Sequence, residues 1–255
     1  MNKNNYHTHT TRCYHASGKD EEYVKAAIKA GIKELGFSDH TPWHYDSSFK
    51  ATMRMPENQL DGYIESILSL KEKYKDQISI LVGLECEYFE KYIPWLKQML
   101  EDKKIDYIIL GNHYYKTDEL HDYFGTPVDE FHLKAYVDQC IQAIDSSLYS
   151  YIAHPDLVYY DQDSKLYQEE MSRLCAYAKE KDMPLEFNLL GFMTHRHYPN
   201  KAFWKIANHY KNKAIIGFDA HSPDALLKDD IYQQAFNYLS SLDVELIDTI
   251  QTLKK

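Results

Sequence analysis

Short runs of consecutive apolar residues alternate with amphipathic stretches along the whole chain. The runs near Asn5–Thr8, Glu34–Ser38, Ile78–Glu85, Ile105–Gly111, Ser150–Ala153, Leu185–Asn188 and Ala214–Phe218 predict seven strands. They are apolar on successive positions, as strands buried on both faces of a parallel sheet are. Between them apolar residues recur at helical spacing. Val24, Ala27, Ile28 and Gly31 give one stripe; Leu60, Ile64, Ile67 and Leu68 give the next, opened by Pro56. Further stripes are Tyr92, Leu96, Met99 and Leu100; the Leu133–Ile144 segment; Met171, Leu174, Cys175 and Ala178; Phe203, Ile206, Ala207 and Tyr210; and Leu227, Ile231 and Phe236–Leu239.

Seven strand–helix units without a break in composition predict a single α/β domain over residues 1–255. Neither GxGxxG nor GxxxxGK[ST] occurs, so a doubly wound nucleotide-binding sheet lacks its phosphate loop. A (β/α) barrel of seven or eight strands is the better expectation. The long polar-aromatic loops 42–56 and 114–130 both follow strands and should lie on the catalytic face.

Composition narrows the function. Net charge is −10, from 39 acidic and 29 basic residues with no block of like sign, so no nucleic acid or membrane partner held by bulk charge is expected. No apolar segment opens the chain, and the run Ile78–Leu84 is far too short to span a membrane. Cys13, Cys86, Cys140 and Cys175 form no CxxC pair. A cytoplasmic protein with structural cysteines, Cys13 among them, is expected. The unusual counts are 13 His and 23 Tyr.

The histidines sit where the strands end. The first strand ends in His7-Thr8-His9 with His15 in its loop, the second in Asp39-His40 and the third in Glu85. The fourth runs into Asn112-His113, the fifth into His154-Pro155-Asp156 and the seventh into Asp219-Ala220-His221. Parallel strand ends meet on one face of a barrel. His7 and His9, like Asp219 and His221, are two apart and point the same way. Seven imidazoles and two carboxylates exceed one tetrahedral zinc and suit two or three ions; the mixed donors fit zinc, manganese or iron alike. Glu87 shares a strand face with Glu85 and rivals it as a ligand.

These motifs resemble the polymerase and histidinol phosphatase (PHP) superfamily over nearly the whole chain. The histidinol-phosphatase branch is carried by Arg12-Cys13-Tyr14-His15-Ala16, Gly36-Phe37-Ser38-Asp39-His40-Thr41-Pro42, Gly83-Leu84-Glu85, His154-Pro155-Asp156-Leu157 and Phe218-Asp219-Ala220-His221. The resemblance implies a distorted (β/α)7 TIM-like barrel and three divalent ions. It assigns His7, His9, Glu85 and Asp219 to the first; Glu85, His113 and His154 to the second; and His15, His40 and His221 to the third. It also implies hydrolysis of L-histidinol phosphate, a step of histidine biosynthesis, by a metal-bridged hydroxide and without a covalent intermediate.

For phosphate, Arg196 is the first candidate, with Arg54 and Arg12 behind it. Asp39, Asp156 and His197 are candidates for the leaving-group acid or for orienting the ligands. Trp43, Phe49, Tyr114 and Tyr115 are expected at the pocket mouth. Basic residues often follow the HPD triplet in the family; Val158-Tyr159-Tyr160 stand here instead. Three alternatives stay open: another small phosphomonoester or phosphotyrosine as substrate, an amidohydrolase-like C–N hydrolase, and a metal-dependent regulatory protein. The C–N reading lacks the lysine late in strand four, where Gly111-Asn112-His113 stand.

Overall fold

A computed structural model describes residues 2–242 and 244–253. The elements run α1 (Asp20–Lys29), β1 (Glu34–His40), α2 (Leu60–Lys73), β2 (Ser79–Cys86), α3 (Ile93–Asp102), β3 (Tyr107–Leu110) and α4 (Glu130–Asp145). Then come α5 (Lys165–Glu180), β4 (Leu185–Asn188), α6 (Leu189–Met193), α7 (Lys201–His209), β5 (Lys213–Gly217), α8 (Asp229–Ser241) and β6 (Glu245–Leu246). Helix starts follow the chain's own caps: Asp129, Ser164 and Asn200 each accept a hydrogen bond from a first-turn backbone N–H of α4, α5 and α7.

The fold is α/β with parallel sheets. β1-β2-β3 form one three-stranded sheet and β4-β5-β6 a second. The expected single closed sheet is therefore not what the named strands form. Two predicted strands, Asn5–Thr8 and Ser150–Ala153, make single bridges only: Asn5 to Leu35, Thr8 to Ala220, and Ile152 to both Leu110 and Leu185. In the first, the Asn5 side chain takes over part of the ladder, accepting from Phe218 N at 2.9 Å and donating to the His7 carbonyl at 3.2 Å. The second is cut short at His154, whose φ of 31° turns the chain.

Other differences are local. Gly31 lies past the end of α1 at φ 73°, a conformation suited to a residue without Cβ, instead of on the predicted stripe. Pro56 precedes a 3-10 turn, Glu57–Gln59, that leads into α2. The short α6 and β6 had no periodic signal. Much of the tyrosine is core: Tyr6, Tyr107 and Tyr151 form a small inner cluster with Ile109, Ala153 and Ile215, separate from the larger core beneath the helices. Gly36 and Gly83 leave room for the Tyr107 ring, whose hydroxyl donates to the Tyr6 carbonyl at 2.7 Å. Among the described residues no helix is long and apolar enough to cross a membrane.

Candidate metal centre

The register of β1 on β2 sets His40 beside Glu85, and β2 carries that carboxylate to the end of the sheet. His7 and His9 approach from the first segment with Nε2 atoms 3.2 Å apart. These atoms lie 3.5 and 3.4 Å from Glu85 Oε2 and 3.4 and 3.2 Å from Asp219 Oδ1. The other Glu85 oxygen, Oε1, faces His154 Nε2 at 3.0 Å and His113 Nε2 at 3.3 Å. His221 stacks on His9 at 4.2 Å and on His15 at 4.7 Å, and His40 lies 5.6 Å from His15. Thus the structure brings all nine predicted ligands together, eight of them lining a cavity of about 390 Å³ with His7 beneath.

The donor set fits divalent cations. His9 Nδ1, His40 Nδ1, Glu85 Oε2, His154 Nδ1, Asp219 Oδ1 and His221 Nε2 are buried without a hydrogen-bond partner. Interiors rarely tolerate so many unsatisfied polar atoms in one place. Donor atoms of His7, His9 and Glu85, of His7, His154 and Asp219, and of His9, His40 and His221 gather in groups spanning 4.8 Å or less. Burial opposes charge on Glu85 and Asp219, yet the surrounding imidazoles hold both well below the usual carboxylate range. Burial also disfavours a charged His7, but Glu186, Asp219 and Glu85 together hold its pKa well above that of a free imidazole. His154 and Asp219 both sit at positive φ, 31° and 49°, strain of the kind that collects at functional sites.

A second layer fixes the rings. Glu186 Oε1 pairs with His7 Nδ1 at 2.8 Å, while its Oε2 accepts from His154 N at 3.0 Å. Glu87 Oε1 pairs with His113 Nδ1 at 3.0 Å. Cys13 and Asp219 carbonyls take Nδ1 of His15 and His221 at 2.7 and 2.9 Å. Such partners set the tautomer and aim the remaining nitrogen. Glu186 was missed from sequence, although an acid inside the apolar run Leu185–Asn188 is the signal that marks it. Glu87, weighed there only as a rival ligand, orients one.

The substrate and acid candidates fare differently. Arg196 lines the cavity and donates to Tyr198 Oη at 2.7 Å. Arg54 does not line it: fully buried, it donates to both Glu87 oxygens at 2.9 and 2.7 Å and lies 3.1 Å from Asp118. Its guanidinium is held between these two acids, which replaces the expected phosphate contact with a structural one. Arg12 pairs with Asp20 at 2.9 Å, also off the cavity.

None of the three acid candidates faces the cavity. Asp39 accepts from Thr10 N and His40 N at 3.1 and 2.9 Å and sits 3.5 Å from His9 Nδ1. Asp156, its carboxyl pushed up to about 7 by burial, accepts from Asn200 N at the start of α7. His197 packs on Tyr159 with its Nε2 2.5 Å from the Leu157 carbonyl. Of the expected mouth aromatics only Tyr114 lines the cavity, joined by Tyr123, Tyr198 and Met53. Trp43 is buried instead, donating to Glu87 at 2.9 Å.

The chain is similar to known proteins over most of its length. The chain is 28% identical to the histidinol-phosphatase of Bacillus subtilis (strain 168) over 258 residues, 87% of this chain and 94% of that protein. It is 24% identical to the histidinol-phosphatase of Lactococcus lactis subsp. lactis (strain IL1403) over 74% of this chain and 72% of that one. Its fold is similar to the crystal structure of histidinol phosphate phosphatase from Lactococcus lactis complexed with zinc, L-histidinol and phosphate, with a TM-score of 0.72, 18% identity and 99% of both chains covered. The PHP domain matches residues 5–189, a span that holds seven of the nine gathered donors, and the chain belongs to the PHP domain family.

Proposed function

We propose that this protein is a metal-dependent phosphomonoesterase that hydrolyses L-histidinol phosphate to L-histidinol and phosphate. The observation that carries the reading is the split of Glu85: one oxygen faces His7, His9 and His40, the other His113 and His154. A carboxylate so placed suits adjacent cations, and the phosphatase names of the relatives support the substrate.

The residues fit three ions of zinc, manganese or iron: His7, His9, Glu85 and Asp219 for one, Glu85, His113 and His154 for the next, His15, His40 and His221 for the third. Bound there, divalent cations supply Lewis acidity to the phosphoryl group and to a water nucleophile. The chain's own part is to hold the ester. Arg196 at the rim offers a forked donor to the phosphoryl oxygens. Tyr198 accepts from Arg196 and keeps its own proton to donate to the same group. The cavity side of Tyr114, Tyr123 and Met53 suits a leaving alcohol that carries an aromatic ring, as histidinol carries its imidazole. We assign no side chain as leaving-group acid, since none of Asp39, Asp156 and His197 lines the cavity.

Two wider readings accompany this. The bridges at Asn5, Thr8, Leu110 and Ile152 join the sheets edge to edge and support a distorted seven-stranded (β/α) barrel. The core running from Tyr23 to Val244 supports a single domain over residues 1–255, and four free cysteines suit a reducing, cytoplasmic setting.

Steady-state kinetics of the metal-loaded protein across phosphomonoesters test the reading. L-Histidinol phosphate is expected to lead phosphotyrosine and other esters by orders of magnitude in kcat/KM. A flat profile overturns the substrate; no phosphate release from any ester overturns the reaction class.

A further inference from the structure

One metal-type side chain beside the cluster has no part in the function above. Cys13 is fully buried, yet its neighbours are imidazoles. It closes the tight turn Thr11–Cys13, which Thr10 caps and which Tyr14 ends at φ 66°. The turn folds His15 back over Cys13, whose carbonyl takes the His15 Nδ1 at 2.7 Å. Cys13 Sγ and one ring nitrogen each of His15 and His221 then lie within 4.8 Å of one another. Sulfur and nitrogen donors on a tetrahedral zinc stand roughly 3.5 Å apart, so small movements convert this group into a coordination shell.

A second observation points the same way. His9 is 1% exposed, its Nδ1 has no hydrogen-bond partner, and it belongs with Cys13 and Asp39 to another donor group of the same span. His221 Nε2 is likewise buried and unpartnered. The other cysteines have ordinary surroundings: Cys86 meets the Thr41 hydroxyl at 2.5 Å and Cys140 accepts from Asn112 Nδ2 at 3.3 Å.

We propose that Cys13 is a thiolate ligand of the ion held by His15 and His221. This rests on the metal-dependent reading of the cavity and revises the structural role expected from sequence. On binding, the S–H proton leaves to solvent and the sulfur lone pair enters the coordination shell. The three positions are then unequal: two offer only nitrogen and oxygen, the third adds a soft donor. Thiolate favours zinc, cobalt or ferrous iron over magnesium and manganese, so the third position selects its metal more sharply than its neighbours.

The test is cobalt(II) replacement in the full-length, metal-depleted protein, with cobalt counted by elemental analysis. The expected result is a near-ultraviolet sulfur-to-cobalt charge-transfer band in the unmodified protein, abolished in Cys13→Ser and kept in the control Cys175→Ser. The visible nitrogen–oxygen ligand-field bands should persist in Cys13→Ser. A fully cobalt-loaded protein without the band overturns the proposal and needs no variant to fold. So does a band that survives Cys13→Ser. Failure to take up cobalt at all overturns the metal reading itself, and the cobalt count tells the two failures apart.

Discussion

Two glycines are as specific to this centre as its histidines. A Cβ on Gly111 would collide with the Glu85 carboxylate, and one on Gly217 with that of Glu186. Both carboxylates therefore lie against neighbouring backbone with no space to spare. Gly217→Ala should push Glu186 off His7 and cost about ten- to hundredfold in metal affinity, a loss in the range seen for orienting partners. Chelator competition measures it, and unchanged affinity would show that Glu186 does not orient His7. At the rim, Arg196→Ala should raise KM for the phosphate ester far more than it changes metal content, and Arg196→Lys should recover only part because one ammonium cannot replace the fork. The HxH and DxH pairs could be read from sequence because chemistry, spacing and strand end coincide in a few residues. Glu186 could not be assigned, because its partner His7 stands 179 positions away and only folding makes them neighbours.

At the scale of elements, the loops after β1 and β3 meet on one buried guanidinium. Arg54, from the first loop, grips Glu87 at the end of β2 and Asp118 in the second loop. Tyr45 donates to the same Asp118 at 2.7 Å, and Glu87 in turn holds the ring of His113. Both loops were correctly expected on the face bearing the ligands. Arg54 looked like a phosphate contact because a polar loop arginine carries no sign of burial, and two distant acids decide its role. Removing one partner of a buried ion pair leaves the other charge uncompensated. Arg54→Met should thus cost about 3–5 kcal/mol of stability, read as a lower urea midpoint. Arg54→Lys should recover part of it, and a neutral Arg54→Met would mean that the network is solvated. The strand runs were legible for the same reason as the ligand pairs, since buried parallel strands are apolar throughout. The brevity of Asn5–Thr8 was not, because the Asn5 side chain replaces ladder bonds that periodicity cannot count.

On the scale of the whole molecule, a net charge of −10 suggests poor tolerance of a phosphate ester. The cavity reverses that inference. Its donors carry two carboxylate charges, from Glu85 and Asp219, and the three dications proposed for it would outweigh them, making the loaded pocket cationic within an acidic shell. The same donors span the chain from His7 to His221 and enter from both sheets, so a bound ion joins the ends of the fold as well as filling a site. A ligand that binds only the folded state stabilises it by mass action, by about 2.7 kcal/mol per independent site at a hundred times its Kd. Stripping the ions with a chelator should therefore abolish activity and also lower Tm, and titrating zinc back should raise the urea midpoint steadily with free zinc. The slope reports how many ions distinguish folded from unfolded chain. A Tm indifferent to chelation would mean that the nine side chains hold their places without cations, which their buried atoms lacking hydrogen bonds argue against.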